Sequence, residues 1–469
     1  MSLPKLPLRI SERKTLLVFI DLLLVNGATL FSLWLWTMRD PLRPFSQELI
    51  LSQAPWFLSL TVLWLLLASV NDFYELKTAA NFLSSALTLL RITAFMLLIY
   101  LLIYFLSPRD SLPRLFILFY AVLSFILLGL WRSGYALFFG RLPFQRRAII
   151  VGAGVSGQTI AHTIRETLGP DYQLVGYIDD DPAKQGQVIE GLPVIGTHRD
   201  LASLVKAEDV SEVILAITHS MHHELFRALM DCQEQGAQIT PMPLLYEEIT
   251  GQVPVEHIGD NWPVALPLDH PSTGSFFPLF KRAVDLSIAV IGLTVLVILL
   301  PLVALALYVD SPGPIFYIQE RVGQGRKTFR LIKFRSMIPH AEKEGAAVWA
   351  KEGDPRITRV GRFLRLTRLD ELPQFINVLK GEMSVVGPRP ERPEFVAELE
   401  ERIPFYRIRH SVRPGMAGWG LVKYGYADSV EDALEKVQYD LYYIKHQSIY
   451  LDLLILAKTI GAMVSFKGR

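Results

Sequence analysis

Two neighbouring carboxylates, Asp370 and Glu371, stand in Leu369-Asp-Glu-Leu-Pro-Gln-Phe-Ile-Asn-Val-Leu-Lys-Gly381, which reads as one helix. Pro373 is tolerated in its first turn and Gly381 ends it. That placement sets both acids at the positive end of the helix, where the dipole keeps them ionised and also favours a bound phosphate. An isolated Asp-Glu pair is usually an ordinary acidic helix start. The surroundings here are unusual. Arg356, Arg359, Arg362, Arg365 and Arg368 precede the pair, with Val360, Phe363 and Leu364 between them at helical spacing, a pattern suited to lipid headgroups. Before that, residues 329–337 alternate like a strand carrying Lys333 and Arg335. Downstream, Gly387-Pro-Arg389-Pro390 holds one Arg in a turn stiffened by two prolines, and Arg413-Pro-Gly415 presents another. A rigid Arg beside paired carboxylates suits bidentate grip on a phosphate.

The charge map agrees. Residues 321–413 hold 20 Lys and Arg against 12 Asp and Glu, a surplus of eight inside a chain of net charge +1. A local basic excess of this kind suits phosphate-bearing ligands or an anionic membrane leaflet.

The elements that must position this chemistry belong to a chain of 469 residues, 51% hydrophobic and 20% charged, with a mean hydropathy of +0.31. Soluble domains carry about 25% charge, so the balance points to a membrane. One cysteine, Cys232, excludes an intrachain disulfide and a Cys-rich zinc site. Four apolar runs, at about 15–36, 49–70, 84–106 and 114–139, each approach the 20 or so residues that span a bilayer. The first is read as a retained anchor, because it is long and lacks a small-residue cleavage site. With the N-terminus inside, Lys5, Arg9, Arg13, Lys14, Lys77, Arg132, Arg141, Arg146 and Arg147 flank the cytoplasmic side. Only Arg39, Arg43, Arg109 and Arg114 flank the other, which favours both ends of this bundle inside. Asp21 and Arg91 lie at similar depth in runs one and three, so an ion pair between them is expected. A fifth run, residues 286–309, has 24 uncharged residues, Pro301 within it and cations on both sides. It is expected to be a re-entrant helix, broken at Pro301, with both ends cytoplasmic.

Between these membrane segments lies a nucleotide-type outline. A strand at 148–151 runs into Gly152-Ala-Gly154-Val-Ser-Gly157, a helix at 158–167, and a second strand ending in Asp179, 22 residues after Gly157. Strand, glycine turn, helix, strand and acid form the dinucleotide fingerprint, a Rossmann-like α/β unit in which Gly152, Gly154, Gly157 and Asp179 would contact the nucleotide. Later strands at 194–195 and 210–217 extend it. No Tyr-x-x-x-Lys pair accompanies it, so a dehydratase or epimerase lacks its acid and base, and a vestigial or regulatory fold is favoured. His219, His222 and His223 read as a solvated helix start, since no partner has metal-site spacing. Residues 251–278, rich in Pro and Gly, read as a linker.

Together Phe334-Arg-Ser-Met, Asp354-Pro-Arg-Ile-Thr, Leu369-Asp-Glu-Leu-Pro-Gln, Asn377-Val-Leu-Lys-Gly, Gly387-Pro-Arg-Pro and Arg413-Pro-Gly resemble the bacterial polyprenyl-phosphate hexose-1-phosphate transferases over residues 281–466. The preceding segments resemble the long members of that family. The resemblance implies a membrane helical bundle at 1–140, a Rossmann-like α/β domain at 146–250 and an α-rich monotopic catalytic domain at 279–469 with its re-entrant helix at 284–309. It implies an enzyme of the inner membrane, its catalytic domain cytoplasmic, that moves a sugar-1-phosphate from a UDP-sugar to undecaprenyl phosphate and releases UMP. Such enzymes start exopolysaccharide, capsule or O-antigen assembly. Asp370 would be the nucleophile, Glu371 and Asp370 the Mg²⁺ ligands, and Arg389, Lys333, Arg365, Arg335 and Arg413 the phosphate-binding groups. The implied partners are membrane lipid and a second copy of the chain, with no nucleic acid. Two departures stand out: Leu300-Pro301 where the family often has Ser-Pro, and Met416-Ala-Gly-Trp419 where a Thr-Gly-Leu-Trp pattern is commoner. Against the transferase reading stand a membrane-anchored nucleotide-sugar dehydratase or epimerase and a non-catalytic assembly scaffold.

Overall fold

A computed structural model describes residues 10–38, 45–106, 114–139, 146–169, 172–217, 221–257, 276–339, 341, 354–403, 405–425 and 429–464. Lys5, Arg9, Arg39, Arg43, Arg109, Arg141, His219 and most of the expected linker lie outside them. The chain divides into two compact units, Met1–Ile249 and Thr250–Arg469.

The first unit opens with α1 (Ile10–Thr37), α2 (Gln47–Val70), α3 (Leu76–Ala80), α4 (Phe82–Leu106) and α5 (Arg114–Phe139). The four long helices coincide with the four apolar runs, and each is long and apolar enough to cross a membrane. Val25, Leu33, Trp64, Ile92, Tyr120 and Leu128 fill the interior of the bundle, while Phe19, Leu58, Leu98 and Leu130 are exposed. Helices apolar on both faces suit lipid surroundings.

Asp21 does not pair with Arg91. It accepts from Arg132 of α5 at 2.5 Å, with both side chains almost fully buried. Depth alone suggested Arg91, but the angle around the helix decides. Leu89, Ile92 and Met96 form the inward stripe of α4, and Arg91, off that stripe, is exposed. Arg132 also donates to the Phe73 carbonyl at 3.3 Å and lies 3.9 Å above the Phe73 ring.

The remainder of this unit is a six-stranded sheet in the order β3-β4-β2-β1-β5-β6. Its strands are β1 (Arg146–Val151), β2 (Tyr172–Ile178), β3 (Val188–Ile189), β4 (Leu192–Gly196), β5 (Glu212–Leu215) and β6 (Gln238–Pro241). All pairings are parallel except β3 with β4. Between strands run α6 (Val155–Thr167), α7 (Leu201–Ala207) and α8 (His223–Glu234), and α9 (Met242–Thr250) follows β6. Period-two alternation divides β1 between two cores. Ala148 and Ile150 pack with Ile160 and Ile164 of α6 and with Leu17, Leu76 and Tyr135 of the bundle. Ile149 and Val151 pack with Leu201, Val213 and Leu229 on the other face.

The second unit is built on a helix of 34 residues, Phe277–Asp310. The expected break at Pro301 does not interrupt it, because a proline removes one internal hydrogen bond and the apolar turns on either side continue the helix. Asp285 near its start accepts from Ser384 Oγ and the Val385 N–H, both at 2.9 Å. Lys281 donates to the Val386 carbonyl at 3.0 Å and to Asp452 at 2.7 Å. At the other end Asp310 accepts the Val360 N–H at 2.9 Å, and Leu296, Val303 and Leu307 pack on Phe334 and Leu364. Val290, Ile291, Val297, Ile298, Leu302 and Leu305 are exposed along the same helix.

Around it lie an antiparallel hairpin, β7 (Phe316–Val322) with β8 (Thr328–Phe334), and a parallel pair, β9 (Ser384–Val386) with β10 (Gly415–Ala417). Helices Val430–Lys445 and Ile449–Val464 supply much of the core. The first residues of the expected linker belong to that core as well. Val253 and Val255 are buried beside Trp419 and Val437, and the Trp419 indole N–H donates to the Gly251 carbonyl at 3.1 Å. Composition marked this stretch as a linker, but two valines at alternate positions are enough to dock it.

Candidate active site

Asp370 and Glu371 are each only 7% exposed. They do not open a long helix. Leu369–Gln374 is a 3-10 turn leading into the six-residue helix Phe375–Lys380, closed by Gly381 at φ 84°. Pro373 has no N–H for the α-helical ladder, so the tighter turn takes its place. A helix this short has little dipole, and the positive field comes from side chains.

Arg389 donates to Glu371 Oε1 at 2.8 Å, and Lys333 lies 3.5 Å from the same oxygen. Arg368 Nη1 is 4.0 Å from Oε2. Arg368 itself has φ 55°, a left-handed conformation that costs a non-glycine residue roughly 1–2 kcal/mol. Sequence spacing had placed Arg368 in the basic helix and gave no sign of this role.

Separate elements hold the cations. Lys333 shares the inward parity of β8 with the buried Phe329 and Leu331, so a strand that otherwise points apolar groups inward ends with an ammonium there. Asn377 fixes β8 to the carboxylate segment: its Oδ1 accepts the Ile332 N–H at 3.2 Å and its Nδ2 donates to the Arg330 carbonyl at 2.7 Å. Arg389 leaves β9 in a loop tied to β10 by Gly387 N–H to Ala417 and Gly415 N–H to Pro388. A Cβ on Gly415 would fall 2.1 Å from the Gly387 nitrogen, so the two loops touch through bare backbone. Arg409 donates to the Arg389 carbonyl at 2.9 Å and is itself held by Asp440 at 2.8 Å, both contacts unforeseen from the sequence.

Burial, with the neighbouring Glu371 charge, pushes the Asp370 carboxyl above the usual range despite Lys333, Arg365 and Arg389. For Glu371, burial acts the same way, but Arg389, Lys333 and Arg368 together outweigh it and hold the carboxyl low. Burial also lowers Lys333, to about 8, with Arg389 adding to the effect. The pair therefore divides into a carboxyl that ionises late and one that stays charged.

Two further arginines expected to bind phosphate, Arg335 and Arg413, have contacts of their own. Arg335 is buried, donating to the Ser311 carbonyl and packing on Gly313. Arg413 is exposed, and it is its carbonyl that abuts Gly387. Arg365 is among the charges acting on Asp370. Its helix, Arg359–Leu366, buries Leu364 and leaves Phe363 57% exposed, so the apolar face expected to meet headgroups is partly turned into the protein.

The glycine loop of the first unit is built differently. Gly152 has φ 105°, and a Cβ on Gly157 would fall 1.9 Å from the Gly152 carbonyl oxygen, so both glycines are required by the turn itself. Asp179 accepts the Ala153 N–H at 2.8 Å and the Asp181 N–H at 3.0 Å and pairs with Lys184 at 2.9 Å. The acid expected to contact the nucleotide closes its own loop. His222 caps α8, accepting the Leu225 N–H at 3.2 Å, in line with a helix-start reading.

The bacterial sugar transferase family matches residues 276–466, and a CoA-binding domain family matches residues 69–243. The chain is similar to the UDP-N-acetylgalactosamine-undecaprenyl-phosphate N-acetylgalactosaminephosphotransferase of Aeromonas hydrophila, 36% identical over 71% of this chain and 77% of the relative. It is also similar to the UDP-glucose:undecaprenyl-phosphate glucose-1-phosphate transferase of Escherichia coli, 30% identical over 87% of this chain and 86% of that one. The undecaprenyl-phosphate glucose phosphotransferase of Komagataeibacter xylinus is 34% identical over 67% of this chain and 58% of its own length.

Proposed function

Because the chain belongs to the undecaprenyl-phosphate sugar-1-phosphate transferases, we propose that Asp370 carries the transferred group through two successive displacements. The enzyme is a membrane phosphoglycosyl transferase. In the first displacement a carboxylate oxygen of Asp370 attacks the β-phosphorus of a UDP-sugar. The new oxygen–phosphorus bond replaces the bond to the bridging oxygen, which leaves with UMP. In the second, an oxygen of undecaprenyl phosphate attacks the same phosphorus, making the lipid diphosphate sugar and returning the carboxylate.

The observation that carries this reading is a buried carboxylate pair faced by Arg389, Lys333, Arg368 and Arg365. Four cations against two carboxylates leave positive charge for a diphosphate. Arg389, stiffened by its prolines, is the group suited to grip it in two places. Lys333 steadies Glu371 and the incoming charge, and burial of the site strengthens each of these interactions. Asp370 and Glu371 are hard oxygen donors of the type Mg²⁺ takes, and a dication there would offset the burial and the Glu371 charge that raise Asp370. Bound Mg²⁺ would neutralise charge on the diphosphate.

We place the reaction at the cytoplasmic face of the bacterial inner membrane, as the first lipid-linked step of exopolysaccharide, capsule or O-antigen assembly. Both ends of Phe277–Asp310 dock on the same unit while its middle exposes apolar side chains, which supports a path that dips into the bilayer and returns, the helix bending at Pro301 without a break, and so keeps the site near the lipid phosphate.

The test is UMP release by protein in lipid nanodiscs given undecaprenyl phosphate, Mg²⁺ and either UDP-N-acetylgalactosamine or UDP-glucose, the donors of the relatives. The expected result is release with one of them, parallel initial-rate lines when both substrates vary, and labelled sugar phosphate retained on the protein when lipid is withheld. Undiminished release by Asp370→Asn would overturn the assignment of the nucleophile.

A further inference from the structure

Asp180, His198 and His222 come from the loops that follow β2, β4 and β5, at the carboxyl ends of parallel strands, where open α/β sheets bind ligands. One ligating atom from each lies within 4.8 Å of the others. His198 Nδ1 is 2.8 Å from Asp180 Oδ1, and His222 Nε2 is 3.2 Å from Asp180 Oδ2. On its far side His198 Nε2 lies 3.2 Å from Glu224 Oε2. The His198 N–H donates to Asp180 Oδ1 at 2.9 Å, which fixes the carboxylate.

We propose that Asp180, His198 and His222 bind a divalent transition ion, with Glu224 as the positioning residue for His198. Both ring nitrogens of His198 face carboxylate oxygens: an imidazolium would donate to both, whereas a neutral imidazole, with one N–H, needs a cation in place of the missing proton. If that proton sits on Nε2 towards Glu224, Nδ1 turns a lone pair on Asp180, and two acceptors then face each other unless a cation lies between them. A carboxylate behind a ligating histidine is the usual orienting arrangement at metal sites. Ligands about 2.0–2.1 Å from a tetrahedral ion are separated by about 3.3 Å; the histidine contacts to the two Asp180 oxygens are 2.8 and 3.2 Å and the set spans at most 4.8 Å, so small side-chain shifts complete the geometry. Two imidazoles and one carboxylate suit Zn²⁺ and its neighbours rather than Mg²⁺.

His222 bears a specific cost. Its Nδ1 accepts the Leu225 N–H, so its proton lies on Nε2, and coordination through Nε2 moves that proton to Nδ1 and releases the cap. One cap of α8 is exchanged for one metal bond. The sequence did not reveal this site because its three residues lie 18 and 24 positions apart in separate loops.

The experiment uses the full chain in nanodiscs, purified without a histidine tag and with Asp370→Asn in the background, so that the catalytic carboxylate does not compete. Co²⁺ is titrated and followed by its visible absorption, and Zn²⁺ by calorimetry and by the rise in melting temperature. One ion per chain is expected, with affinity falling at least about 100-fold in His198→Ala and about 10–100-fold in Glu224→Gln. His222→Asn keeps a good helix cap and loses the ligand, so its metal-free melting curve should match the parent while binding is lost. Absence of saturable binding in the parent, or affinity unchanged in both His198→Ala and His222→Asn, would overturn the proposal.

Discussion

Each unit of this chain carries an adjacent acidic pair, Asp370-Glu371 in one and Asp179-Asp180 in the other, and the buried Glu371 and the loop-closing Asp179 are treated in opposite ways. Asp179 spends its oxygens on its own chain, on the Ala153 and Asp181 amides and on Lys184. Glu371 is buried and held by Arg389, Lys333 and Arg368 from three separate segments, with Asp370 beside it and charge left over. A carboxylate whose lone pairs are used locally is part of the scaffold. A buried carboxylate amid excess cations is poised for an anion from outside.

The sharpest way to break this contrast is Asp370→Asn. Loss of a nucleophile costs about 10⁴-fold or more, so UMP release should vanish into background. Burial already disfavours the Asp370 charge, so the amide should leave the melting temperature close to wild type. A variant that is unfolded would not count as a test, which is why the melting curve is measured beside the rate. Next in size is Arg389→Lys, expected to lower kcat/KM for the UDP-sugar about 100-fold. A lysine keeps the charge but loses the planar fork that reaches both Glu371 and a phosphate. Equal activity would mean that Arg389 only balances charge.

The pH profile sharpens the same contrast. Asp370 has its folded pKa raised, and the nucleophile is the ionised form, so activity is full above that pKa and lost below it. With Mg²⁺ arriving only on the UDP-sugar, kcat/KM for that substrate reports the metal-free carboxyl, and it should therefore fall about tenfold per pH unit on an acid limb lying above the usual carboxylate range. A limb at or below about pH 4 would show Asp370 behaving as an ordinary exposed acid.

Much of this was legible in the sequence. The four apolar runs and the strand-glycine-helix outline carry strong periodic signals, and the structure has elements in those places. The carboxylate pair and Arg389 stood out because their turns are written in Pro and Gly. Three other features left no local trace. The Asp21–Arg132 pair depends on the angle around α4 and α5, not on depth. Arg368 acts through a left-handed backbone that nothing in its own spacing announces. Asp285 stands in an apolar helix, and its partners Ser384 and Val385 are about a hundred residues away.

Asp285 gives the next prediction, because it is the joint between the long helix and the loop bearing Arg389. Asp285→Ala strands the Val385 amide in a buried place, at a cost of about 1–3 kcal/mol, while the Ser384 hydroxyl keeps the Val386 carbonyl as its acceptor at 2.9 Å. The melting temperature should fall by several degrees and transfer should weaken about tenfold, since β9 also carries the start of that loop. Asp285→Asn keeps one acceptor and should recover part of both losses. If Asp285→Ala melts normally, the helix is not anchored through this residue.

The smallest expected effect belongs to the other unit. Gly154 has an ordinary extended backbone and open space where a Cβ would go, so Gly154→Ala meets no clash and costs only a modest loss at the N-cap of α6. In dinucleotide-binding folds that same glycine is what lets the backbone approach a pyrophosphate. The substitution therefore reports on a ligand through the shift that each form's melting temperature shows on adding it. Because Asp179 already closes the loop through Ala153, transfer by Gly154→Ala should stay within about twofold of wild type, and NAD or CoA should stabilise neither form. If NAD or CoA raises the melting temperature of the wild type and not of the variant, the loop opens to a pyrophosphate, and the contrast between a spent carboxylate and a poised one narrows to a difference in which ligand each unit awaits.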